Sequence, residues 1–86
     1  GIKIERWMLE TILKVEKLIK QKIKNANVRC RIRNAGAFIE TDYQYLEELR
    51  KDKHKIISSI NLIFRRTSIK FKGFEEYSKG SSFIQV

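Results

Sequence analysis

Proline is absent from this chain of 86 residues, cysteine occurs once and glycine four times. Without proline no helix or strand boundary is marked by a ring-locked residue, so boundaries must be read from asparagine, glycine and capping side chains. A single cysteine excludes an internal disulfide. Cys30 falls on the apolar side of an alternating stretch and reads as a small buried hydrophobe. No apolar run is long enough to cross a bilayer and no signal peptide is evident, so the expectation is a cytoplasmic protein with no membrane partner.

Phosphate-cradling glycine loops between a strand and a helix, Cys/His clusters at metal spacing and a nucleophile elbow are also missing. The chain alone is therefore expected not to be a catalyst: it offers no catalytic residue, no metal ligand and no cofactor of its own. His54 stands alone in a KDKHK run and reads as a surface residue. Acid is scarce too. Ten Asp and Glu stand against 19 Lys and Arg, a net charge of +9, which favours anionic or acidic partners. The length allows one small domain over residues 1–86 with one modest core. The chain begins with Gly rather than Met, which is expected of a tag-cleavage scar or of a domain cut from a longer protein.

Ile4, Met8, Ile12, Val15, Ile19 and Ile23 recur at helical spacing, with Trp7 and Leu18 alongside, and predict a helix of about five turns. Lysines fill its far side, and Asn25 or Asn27 can end it. In VRCRIRNAGAFIE the period becomes two: Val28–Arg33 and Ala37–Thr41 read as a hairpin around Asn34, Ala35 and Gly36. Thr41-Asp-Tyr-Gln44 has capping-box spacing and opens a second helix with Tyr45, Leu46, Leu49, Ile56, Ile57 and Ile60 inside, ending near Asn61. Phe64 to Lys72 alternates again and reads as a third strand. The tail from Gly73 reads as a loop that wraps an edge or docks on a neighbour.

The expected fold is thus α+β: helix-strand-strand-helix-strand, a small three-stranded sheet with two helices packed on one face. Period-two assignment puts Val28, Cys30, Ile32, Ala37, Ile39, Thr67, Ile69 and Phe71 under the helices. Arg29, Arg31, Arg33, Phe38, Glu40, Arg66, Ser68, Lys70 and Lys72 fall on the other face. A small antiparallel sheet can leave such a face simply solvated. Six basic groups against one acid repel one another, however, and an anion or a partner on that face would relieve the repulsion. Glu40 is placed to steady Arg31 or Arg33 across the hairpin. Late in the chain, Gly80 and Ser81 offer backbone N–H and hydroxyl groups suited to a phosphate, although taken alone they are better accounted for by a flexible tail. The candidate anion-binding residues are Arg29, Arg31, Arg66, Lys70, Gly80 and Ser81.

RCRIRNAGAFIE resembles the R-x-R, turn, A-x-I-E run in the C-terminal domain of PP-loop ATP pyrophosphatases of the sacrificial sulfur transferase type, the LarE-like ATP-utilizing enzymes. The match is ungapped through Arg29, Arg31, Ala37, Ile39 and Glu40. Phe71-Lys72-Gly73-Phe74 and Gly80-Ser81 echo the family's later L-E-G-Y-R-x-G-S segment in order, and Val15-Glu16 sits where the family carries V-E. The resemblance implies a C-terminal domain that follows an ATP- and Mg-dependent adenylating domain. It also implies oligomerisation through this domain and a substrate phosphate held by Arg29 and Arg31. The sequence departs from the family at Asn34, where the family's turn has glycine, and at Lys70, where the family has an acid. Glu75, Glu76 and Tyr77 read as an insertion, Cys30 stands where the family is apolar, and the family's SGGxDS loop is not in this chain.

Two functions follow as expectations. One is an accessory domain of a PP-loop enzyme, with the upstream catalytic domain, a second copy and a phosphate-bearing small molecule as partners. The other is a stand-alone nucleic-acid-binding module that uses the same face with Phe38 for base stacking. Only one aromatic residue lies on that face and the RNA-recognition motif is missing, which favours the first.

Overall fold

The computed structural model describes residues 3–76 together with the backbone of 83–85. The elements are α1 (Arg6–Lys22), β1 (Val28–Arg33), β2 (Gly36–Thr41), α2 (Tyr43–Lys51), α3 (Lys53–Phe64), β3 (Phe71–Glu76) and β4 (Phe83–Gln85). The α+β class is as expected from the sequence. The sheet has order β1-β2-β3-β4. The hairpin pair β1-β2 is antiparallel, β2-β3 is parallel and β3-β4 is antiparallel.

The first helix and the hairpin follow from their patterns. Val15, Ile19 and Ile23 bury the inner stripe of α1, with Ile12 and Leu18 packed against the core. Trp7 in the first turn of α1 and Ile4 just before it are exposed, as are Leu9 and Leu13. In β1, Val28 and Cys30 are buried and Ile32 is half-buried, while Arg29, Arg31 and Arg33 are exposed. Because β1 pairs on one side only, its outer edge carries unpaired backbone groups. There the Cys30 N–H donates to Glu16 Oε2 at 2.9 Å, tying α1 to the strand.

Three expectations about the second half are corrected. The second helix is broken at Asp52 into α2 and α3, and the α3 stretch runs past Asn61 to Phe64. Ile56, Ile60 and Phe64, spaced by four, are all buried, so Phe64 completes a helical stripe rather than opening a strand. The Thr67 backbone N–H and hydroxyl both donate to Phe64 O, and the Thr67 hydroxyl accepts from the Ile69 N–H at 3.1 Å, which turns the chain out of the helix. The third strand therefore begins at Phe71, and Arg66, Ser68 and Lys70 lie in the connection before it. Finally, the tail contributes the short strand β4, giving four strands and three helices among the described residues.

The capping box expected at Thr41 is not formed. Asp42 takes the N-cap position without a side-chain cap, and its carboxylate accepts from the Asn27 N–H at 3.2 Å, joining both helix-strand connections. The Thr41 hydroxyl is fully buried and has no hydrogen-bond partner among the described residues. One core unites the covered sheet face, through Val28, Cys30, Ala37, Ile39, Phe71 and Phe74, with the inner sides of the helices. Phe71 and Phe74 meet edge to face, their centroids 5.2 Å apart. A register shift between Ala37 and Phe38 lets Phe71 and Phe74 both reach this core and puts Gly73 beside Phe38 and Glu75 beside Glu40.

Candidate anion-binding site

The uncovered face of the sheet is built from alternate residues. Arg29, Arg31 and Arg33 come from β1, Phe38 and Glu40 from β2, and Gly73 and Glu75 from β3. Arg29 is directly opposite Glu40 in the hairpin ladder and Arg31 opposite Phe38. Glu40 is in turn directly beside Glu75 in the parallel ladder. Like charges at adjacent sheet positions repel, so two neighbouring carboxylates require cations over them.

The arginines supply these cations. Arg31 donates from Nε to Glu40 Oε1 at 3.1 Å, and Arg33 donates from Nη2 to Glu40 Oε2 at 2.9 Å. The same Nη2 reaches Glu75 Oε1. The carboxylates lie at the bottom and the guanidinium groups on top: the side chains of Glu40 and Glu75 are 10% and 13% exposed, those of Arg31 and Arg33 51% and 44%. The hydrogen bond that Arg33 donates to Glu75, opposed by burial and aided by the charges of Glu75 and Glu40, holds Arg33 still more firmly in its charged form. Arg33 also stacks on Phe38, its Cζ 4.7 Å above the ring centroid.

Arg29 and Arg31 differ from Arg33 in what they leave available. Among the described residues Arg29 is exposed and makes no ion pair, and Arg31 uses only Nε, so its terminal amino groups have no acceptor there. The remaining candidates separate from these two. Arg66 lies in the turn after α3 and belongs to no strand. Lys70 lies in the connection, where its carbonyl accepts from the Ala37 N–H at 2.8 Å. Its side chain lines a cleft of about 300 Å³ at the hairpin turn with Arg33, Asn34, Gly36 and Ser68. Gly80 and Ser81 lie outside the described residues. The six-to-one excess of base over acid is therefore reduced, since Arg66 and Lys70 leave the face and Glu75 joins it.

Glu75 was not identified from the sequence because the tail from Gly73 read as a loop and Glu75 as part of an insertion. The available signal was the buried-exposed alternation carried through Phe71 and Lys72 and resumed at Phe74 and Glu75, one residue out of step. Cys30 is on the opposite, covered side. Burial, with the Glu16 carboxylate adding to it, pushes its thiol up to about 12, so it is no thiolate nucleophile at neutral pH. Among the described residues no three His, Cys, Asp or Glu side chains group to hold a metal ion, and no helix is long and apolar enough to cross a membrane.

No protein-family model matches the chain, and comparison with curated proteins and with solved structures returns no match either.

Proposed function

We propose that this chain is an accessory domain of a PP-loop ATP-utilizing enzyme, in which Arg29 and Arg31 hold a phosphate of the substrate. The open sheet face would meet the catalytic domain or a second copy. The observation that carries the reading is the contrast among the three arginines. Arg33 is committed to Glu40, Glu75 and Phe38, whereas Arg29 and the terminal amino groups of Arg31 stand unpaired among the described residues, one face position apart on a rigid strand. Adjacent guanidinium groups with open donors suit a tetrahedral oxyanion, because each planar fork can donate two parallel hydrogen bonds.

ATP chemistry in such an enzyme belongs to the SGGxDS loop, which this chain does not carry, so no step through ATP or Mg is assigned to these residues. Their work is to bind and orient. The parent reaction is proposed to be adenylation followed by sulfur transfer, in the cytoplasm, with this domain contributing subunit contacts. The nucleic-acid reading is less well supported, because Phe38, the ring expected to stack on bases, is already covered by Arg33.

The test is calorimetric titration of the purified chain with inorganic phosphate at low ionic strength, for the wild type and for Arg29→Ala and Arg31→Ala. Each variant is expected to weaken binding at least tenfold while the thermal unfolding midpoint stays within about 3 °C of wild type. Equal phosphate binding by all three proteins would sink the reading. Oligonucleotide binding whose log affinity falls steeply with log salt would replace it with the nucleic-acid one.

A further inference from the structure

We propose that Glu40 is the positioning residue of this site: its carboxylate fixes the Arg31 guanidinium through Nε and so aims the two terminal amino groups at the bound phosphate. The inference rests on the phosphate-binding reading above and adds to it a residue whose charge is the wrong sign for the ligand.

Glu40 is itself held at both oxygens. Oε1 accepts from Arg31 Nε and Oε2 from Arg33 Nη2, so the carboxylate cannot rotate without breaking one bond. Arg33 is anchored in turn by Glu75 on β3 and by the Phe38 ring. A line of contacts therefore runs from two paired strands through Arg33 and Glu40 to Arg31, which is half exposed and would otherwise sample many rotamers. An arginine already ordered in its binding geometry loses less entropy when the ligand arrives. The Nε contact matters because it leaves both terminal amino groups of Arg31 open, whereas Arg33 meets its two carboxylates through a terminal nitrogen, Nη2.

Simple electrostatics and positioning predict opposite results. Removing a carboxylate from an anion site raises the local positive charge and should tighten phosphate binding. If Glu40 positions Arg31, its removal should loosen binding instead. The experiment titrates the full chain with inorganic phosphate at low salt, comparing wild type, Arg29→Ala, Glu40→Ala and Glu47→Ala. Glu47, on the exposed outer side of α2, removes the same charge away from the site. Phosphate affinity is expected to fall about tenfold in Glu40→Ala and to hold or rise slightly in Glu47→Ala.

If wild type and Arg29→Ala bind phosphate alike, the phosphate reading itself fails and the Glu40 inference falls with it. If Arg29→Ala weakens binding but Glu40→Ala binds as well as wild type or better, only the role of Glu40 is overturned. Should Glu40→Ala not fold, Glu40→Asp keeps the charge but shortens the reach. Weaker binding supports positioning, and unchanged binding overturns it. A measurement on wild type needs no variant: the Arg31 Nε–H should exchange with solvent more slowly than the Arg29 Nε–H, and equal exchange rates would reject the contact on which the inference depends.

Discussion

The guanidinium of Arg33 lies over the ring of Phe38, its Cζ 4.7 Å from the centroid, although Arg33 is paired in the ladder with Gly36 rather than with Phe38. The side chain runs along the sheet face to reach the two carboxylates. Gly36 and Gly73 border that path, one opposite Arg33 and one beside Phe38, and neither places a side chain in it. A basic residue that the sequence leaves out of the anion-binding candidates is thus the counter-ion that joins Glu40 to Glu75.

Replacing Arg33 with Ala would leave Glu40 and Glu75 side by side with one of their two cations gone. The expected loss of stability is about 2 kcal/mol at neutral pH, below the range for fully buried pairs because Arg33 is partly exposed. Arg33→Lys should recover part of it, keeping the charge without the planar fork. Urea unfolding followed by circular dichroism measures both, and a midpoint for Arg33→Ala equal to wild type would contradict the assignment.

Gly36 adopts φ +141°, and a Cβ built there falls 2.3 Å from the Lys70 carbonyl oxygen and 2.9 Å from the Lys72 side chain. Gly36→Ala combines a backbone conformation hostile to L side chains with a clash against main chain that cannot swing away. A loss of about 3 kcal/mol is expected. The seam between the hairpin and the Lys70 connection should open first, visible as faster exchange of the Ala37 amide, which donates to Lys70 O. Wild-type exchange at Ala37 in the variant would argue that the seam is not closed as described.

Stability should fall in alkali because of Cys30. Its thiol titrates at about 12 in the fold against 9.0 for an ordinary cysteine, so the folded chain retains a proton that the unfolded chain releases. The contribution is complete below pH 9 and is lost as pH rises from 9 toward 12, by roughly 1.4 kcal/mol for each unit. Comparing wild type with Cys30→Ala isolates this slope, since lysine and tyrosine titration is common to both. Parallel stability-against-pH curves for the two proteins would remove Cys30 as the cause.

The N-terminal half of the fold was legible because each element there has one clean period. The α1 stripe at Val15, Ile19 and Ile23 and the alternation Val28, Cys30, Ile32 against Arg29, Arg31, Arg33 determine both the elements and the faces. Between Ile56 and Phe71 two periods overlap. Phe64 continues the four-residue spacing of Ile56 and Ile60, while Thr67, Ile69 and Phe71 begin a two-residue spacing three residues later. Burial in the helix core decides for the former, and Arg66 and Lys70 leave the sheet with it. The parallel placement of β3 against β2 is a long-range pairing that no local pattern encodes, so Glu75 could not be seen to meet Glu40. Glu40 itself was legible as the partner of Arg31 and Arg33 because the hairpin puts all three on one face, although the register sets Glu40 directly opposite Arg29.

That parallel pairing also orders the assembly of the molecule in time. A hairpin closes across a short turn, whereas β3 can reach β2 only after the chain from Asp42 to Lys70 has been gathered into its two helices, a slower event entropically. Arg29, Arg31 and Glu40 all belong to the hairpin, so the anion-facing half of the site should exist before the sheet is complete. Glu75 should arrive last to neutralise Arg33. Pulse-labelled hydrogen exchange during refolding should protect the backbone amides of β1 ahead of those of Phe74 and Glu75, and simultaneous protection would show instead that the site and the sheet are born together.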